Sequence, residues 1–260
     1  MLNPLLIKEL RMKTRGVEAY AVGVIYIIAL SALAFGLFWE ASSGGRTLDP
    51  EYGIKMFLAF VVAMILAVCL ICPAFTVGAV SSERERLTFH QIRVTLLKPR
   101  QILLGKALPP IIYILVLIVV SIPVASLIAP VGGVSLAEMF SCYVVAFVSA
   151  MAFGLIGLMC SSIYRRTRPS IVMTYSIAGF FLFGTAIIPR IVDGVSRISR
   201  FLLDLCVSLN PFHAAMSALG RGKQIQLAGL SSWDISIIGY LAISAISACI
   251  TFLRFRGIRS

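Results

Sequence analysis

Six apolar runs dominate the chain: Val17–Trp39, Ile54–Val80, Ala107–Pro130, Met139–Ile163, Ser170–Ile188 and Ile235–Leu253. As helices, each can cross about 30 Å of hydrocarbon, some with tilt. Pro73, Pro109, Pro110 and Pro123 predict kinks or broken turns in the second and third. The rest of the composition agrees: 59% of the 260 residues are hydrophobic and 13% charged, where a soluble domain carries about 25% charge. The expected fold is an all-α membrane protein with six transmembrane helices, forming one domain over residues 1–260.

The net charge of +12 is no nucleic-acid footprint, because the cations sit at the ends of the runs, where they set orientation. With the N-terminus inside, the inner segments hold Lys8, Arg11, Lys13, Arg15, Arg84, Arg86, Arg93, Lys98, Arg100 and Lys106. They also hold Arg165, Arg166, Arg168, Arg254, Arg256 and Arg259. The outer segments hold only Arg46, Lys55, Arg190, Arg197, Arg200, Arg221 and Lys223. The positive-inside rule therefore places both termini in the cytoplasm of a multi-pass protein of the inner (plasma) membrane.

Between the second and third runs lies Ser81–Lys106, which carries eight of the chain's 34 formal charges. Ser82 and Glu85 have capping-box spacing, and Glu83 and Glu85 suit the positive end of a helix dipole. Leu87–Leu97 then places Phe89, Ile92 and Leu96 on one helical face. Lys98 before Pro99 stops that helix, and Pro99 starts a second, Arg100–Leu104, leading through Gly105-Lys106 into the next span. A charged helix with an apolar stripe, held between two spans, reads as a docking element for a soluble partner. Its alternative is a solvated loop that only sets topology.

Asn3 and Pro4 open an interfacial helix over 3–15, with Leu6, Ile7 and Leu10 on one face and Lys8, Arg11 and Arg15 on another, towards membrane lipid. Between the fifth and sixth runs, Ile191, Val195, Ile198, Leu202, Leu205 and Leu209 form a helical stripe. Asn210-Pro211 restarts a helix that runs to Leu219 and stops at Gly220. Two short outer helices over 191–219 are expected, either dipping into the interface or packed on the spans.

The runs carry no ionisable group away from their ends, which argues against an ion-coupled transporter. The two histidines, His90 and His213, fall in different compartments and build no metal site. The spacing Cys69-x-x-Cys72 lies inside a span and lacks a redox context; buried small hydrophobes are the reading for these cysteines. No Walker motif occurs, since Arg100 stands where Gly105-Lys106 would need a glycine. If the protein drives transport, the energy has to come from a partner, acting at the docking helix.

Taken together, the chain resembles the membrane permease subunit of an ABC type-2 exporter over essentially its whole length. Glu83-Arg84-Glu85-Arg86-Leu87-Thr88, Leu96-Leu97-Lys98-Pro99 and Ile102-Leu103-Leu104-Gly105-Lys106 are similar to the family's Glu-x-Glu-x-Gly-Thr, Leu-Leu-x-x-Pro and Ile-x-x-Gly-Lys pattern. Leu87 departs from the usual Gly. Asn210-Pro211-Phe212 resembles a recurrent element before the sixth span. The resemblance implies that 3–15 is an elbow helix and 82–104 a coupling segment. It implies docking of an ABC ATPase on Glu83, Arg84, Glu85, Arg86, Phe89, His90, Ile92 and Arg93. It also implies a second permease, identical or a paralogue, and no catalytic residue or cofactor in this chain, with ATP and Mg²⁺ on the partner. Cargo would pass along the dimer interface, with Phe75, Met173, Phe180 and Phe183 as lining residues; lipid contact or helix packing is the alternative for Phe180, Phe181 and Phe183. A rival function is a non-transporting membrane subunit that passes ATPase motion to an outer accessory protein through 191–219.

Overall fold

The computed structural model describes residues 17–43, 50–85, 99–187, 197–221 and 231–257. The segment 3–15 lies outside these residues, as does 86–98 with Arg86, Phe89, His90, Ile92 and Arg93. Its helices are α1 (Val17–Ser43), α2 (Pro50–Thr76), α3 (Ser81–Glu85), α4 (Pro99–Ile128), α5 (Leu136–Ile163), α6 (Thr167–Gly179), α7 (Arg197–Ser208), α8 (Pro211–Ala218) and α9 (Ser232–Gly257). Six segments, built on α1, α2, α4, α5, α6 and α9, are long and apolar enough to cross a membrane.

The centre of the bundle is α5, which starts with a full capping box. Ser135 Oγ accepts from the Glu138 amide at 3.2 Å, and Glu138 Oε2 accepts from the Ser135 amide at 2.8 Å. α5 packs between α2 and α9 and also touches α4, α6 and α8. The approach to α2 needs glycine. A Cβ at Gly154 would collide with Cys72 Sγ, and one at Gly157 with Thr76 Oγ1. Small residues let helices close to contact distance where apolar burial from water supplies no drive. On the other flank, Phe153 of α5 meets Tyr240 of α9 with ring centroids 5.7 Å apart. α1 is peripheral and largely exposed, tied to α4 where Tyr113 Oη donates to the Ala19 carbonyl at 2.6 Å.

Several helices differ from their expected form. α4 is continuous from Pro99, absorbing the short helix expected over Arg100–Leu104, and remains helical through Pro109, Pro110 and Pro123. In lipid a broken turn would leave backbone groups without water, so continuity is favoured. α2 stops at Thr76, three residues after Pro73, and a turn over 77–80 leads into α3. α6 continues as a π-helical segment, Phe180–Gly184, in which the Thr185 amide donates to the Phe180 carbonyl five residues back.

α7 and α8 pack on the spans instead of lying apart from them. Pro211, Ala214 and Ala215 of α8 are buried against α5, α9 and α2. The irregular backbone between α7 and α8 is fully served: Ser236 Oγ of α9 donates to the Ser208 carbonyl, and Tyr240 Oη to the Leu209 carbonyl at 2.7 Å. Buried non-helical backbone requires this.

Candidate functional site

A group of polar residues lies where α2, α3, α4, α5 and α6 meet. α3 leaves α2 without a fresh start, because the Ser82 amide donates to the Gly78 carbonyl and the Arg84 amide to the Val80 carbonyl. Those amides need no side-chain cap, so the expected Ser82–Glu85 box does not form. Ser82 Oγ turns back to the Gly78 carbonyl. Glu85 instead serves α6, whose N-cap, Arg166, makes no side-chain cap bond. Glu85 Oε1 accepts from the Thr167 amide and Oε2 from the Thr167 hydroxyl, both at 2.9 Å. These bonds, with lesser help from Arg166 and Arg168, hold the exposed Glu85 carboxyl below its usual range.

Two residues earlier, Glu83 reaches α4. Lys106 Nζ lies 2.8 Å from Glu83 Oε1 and donates to the Ala79 carbonyl at 2.6 Å. The Lys106 side chain is 1% exposed. This pair joins α3, just before the 86–98 stretch, to Lys106 of α4, just before the Ala107–Pro130 run, and closes the base of the polar excursion.

The turn between α2 and α3 is fixed on its other side by α5 and α6. The Val80 and Ser81 amides both donate to Ser161 Oγ, at 2.9 and 3.0 Å. Ser170 Oγ of α6 donates to the Val77 carbonyl at 3.1 Å. A small apolar cluster of Val80, Ala107, Leu158 and Phe255 backs this polar layer. Arg84 is half-buried here. Burial, then the like charges of Arg165 and Arg254, lower its guanidinium from the usual range.

Residues 46–255 match the family described as "ABC-2 family transporter protein". The chain belongs to the ABC-2 family. No curated protein matches it closely enough to add to that assignment.

The residues that resembled the family pattern in this ABC-2 protein are thus partly assembled at α3. Glu83 pairs with Lys106, and Glu85 of the same short helix reaches Thr167. Serines in apolar runs are the only sequence trace of Ser161 and Ser170, and nothing in spacing marks Thr167 as Glu85's partner. The four residues expected along a pathway are more scattered. Phe75 is half-buried with its ring 4.7 Å from Tyr113 of α4. Met173, Phe180 and Phe183 are exposed along α6 and its π-segment.

A second polar centre lies at the far end of α6. Asn210 is 2% exposed, and its side chain is used at both ends. Oδ1 caps α8 by accepting from the Phe212 and His213 amides at 2.9 and 3.2 Å. Nδ2 donates to the Leu182 carbonyl and to Thr185 Oγ1, each at 2.9 Å. Asn210-Pro211 announced the cap; the bonds to α6 had no local signal.

Proposed function

We propose that this ABC-2 protein is the membrane subunit of an ATP-driven exporter that moves cargo along a permease dimer interface, powered by a separate ABC ATPase. The observation that carries the reading is the joint at the base of the 86–98 stretch. A charged excursion between two spans is closed by the ion pair of Glu83 with the buried Lys106 and bonded to a third span, so force applied to the excursion has a short path into the bundle. The ATPase docks on 82–104. Phe89, Ile92, Arg86, His90 and Arg93 supply the contact face, and Glu83, Arg84 and Glu85 fix its base. ATP and Mg²⁺ belong to the ATPase. Both termini and 82–104 lie in the cytoplasm of the inner membrane, 3–15 is the elbow helix against lipid, and α7 and α8 lie at the outer face. The second permease is a copy or a paralogue, and Met173, Phe180, Phe183 and Phe75 contribute to the pathway.

The test is pull-down of the ATPase with Phe89→Ala, together with ATP hydrolysis by the assembled complex. Truncating an aromatic anchor commonly costs about 2 kcal/mol or more of binding. Phe89→Ala is expected to weaken assembly or uncouple hydrolysis from transport while the permease still folds; full binding and full coupling would sink the assignment. One observation favours the second reading, a non-transporting subunit that drives an outer accessory protein. α7 and α8 are bonded to α6 and α9, and Leu202 of α7 is left exposed. Cargo-stimulated hydrolysis in liposomes decides between the two readings.

A further inference from the structure

The π-segment of α6 is an anomaly that sequence does not explain. Single π-turns in α-helices recur at functional positions because they hold one residue more than the α register allows. They also displace carbonyls from their usual amide partners. Here the Thr185 amide goes to the Phe180 carbonyl, and the Phe181 carbonyl accepts the Thr185 hydroxyl at 2.7 Å. The Leu182 carbonyl and Thr185 Oγ1 then accept from Asn210 Nδ2. The same Asn210 begins α8 through its Oδ1. One buried amide therefore completes the irregular turn of one helix and the first turn of another.

We infer that Asn210 is a positioning residue that links α6 to α8: it stabilises the π-register of Phe180–Gly184, and a return of that segment to α-register pulls on, or releases, the start of α8. α6 is held at its other end by Glu85 through Thr167, so it is gripped by a polar side chain at each end. A displacement at the Glu85 end can be absorbed by the π-segment or passed to α8, and Asn210 decides which. The inference rests on the ATP-coupled reading for its driving force, but the Asn210 bonds stand without it.

Substitution at Asn210 separates its two tasks. Serine is as good an N-cap as asparagine but is too short to reach α6, whereas alanine does neither. Asn210→Ser is expected to keep α8 protected from hydrogen exchange and to speed exchange in the 180–187 peptide about fivefold, as loss of roughly one net hydrogen bond implies. Asn210→Ala should speed exchange in both 180–187 and 211–219. Thr185→Val, nearly isosteric and outside the cap, should act on 180–187 alone. The coupled test uses the assembled complex with ATP and vanadate. In the wild type, trapping should change exchange at 167–175 and at 211–219; in Asn210→Ser the change at 167–175 should persist and that at 211–219 should vanish. Equal responses at 211–219 in wild type and Asn210→Ser overturn the link. No nucleotide-dependent change at 167–175 in the wild type overturns the ATP-coupled reading, and the coupled part of the inference with it. Unchanged basal exchange at 180–187 in Asn210→Ser refutes the stabilising role independently of any ATPase.

Discussion

At the scale of single residues, Lys106 carries the sharpest expectation. Its ammonium is held by Glu83 and the Ala79 carbonyl with almost no solvent exposure. Removing one partner of a buried pair strands the other and costs about 3–5 kcal/mol, whereas replacing both by apolar residues of similar size is often close to neutral. Glu83→Leu, which strands the buried Lys106, should therefore lower the detergent-denaturation midpoint markedly, and Glu83→Leu with Lys106→Met should recover most of it. If the double variant is as unstable as the single one, the pair does more than neutralise itself. Lys106 was legible in the sequence as a cation at a span end, which positive-inside reasoning puts in the headgroup layer. Its partner was not legible, because 22 residues separate the two and no periodicity spans that gap.

At the scale of elements, local rules located helix starts better than stops and misassigned one side chain for a clear reason. Pro99 opens α4, and Asn210-Pro211 opens α8, as their residue types require. Glu85 has the right spacing to cap its own helix, but α3 grows out of α2 with its amides already bonded, so the carboxylate is left for α6. A capping box can be read from sequence only when a helix begins from a loop. The Glu85 bond has a definite pH sense. Its carboxyl is depressed in the folded protein, so the stabilisation is complete above the ordinary carboxylate range, near 4.3, and is lost as pH falls through the lower folded value. Exchange protection of a 164–170 peptide should be flat from neutral pH down to that range and fall only below it. In Glu85→Gln the fall should disappear. A loss of protection already near neutral pH would show that another group controls the start of α6.

At the scale of the whole molecule, the six apolar runs were enough to foresee an all-helical, multi-pass architecture, because length and hydropathy act on each span separately. Which helix would be central was not foreseen, since all six runs are comparably apolar and centrality is set by small residues such as Gly154 and Gly157 meeting α2. Orientation can be tested by cysteine labelling. On the α3 side the reporter is the exposed Arg166. In a background without native cysteines, Ser43→Cys and Arg221→Cys should label with impermeant reagents from outside sealed cells, and Arg166→Cys should not; the opposite pattern would invert the topology. The seating of α5 also bears on how the protein is made. The ribosome releases α2 before α5, and α5 before α9. One flank of the central helix is covered early, while the other waits for the 26-residue α9. A nascent chain halted at Ser231 holds five spans in the membrane with Phe153 lacking its Tyr240 neighbour, and should be degraded by membrane quality control far faster than the full chain. Supplying Ser232–Ser260 as a separate polypeptide should slow that loss.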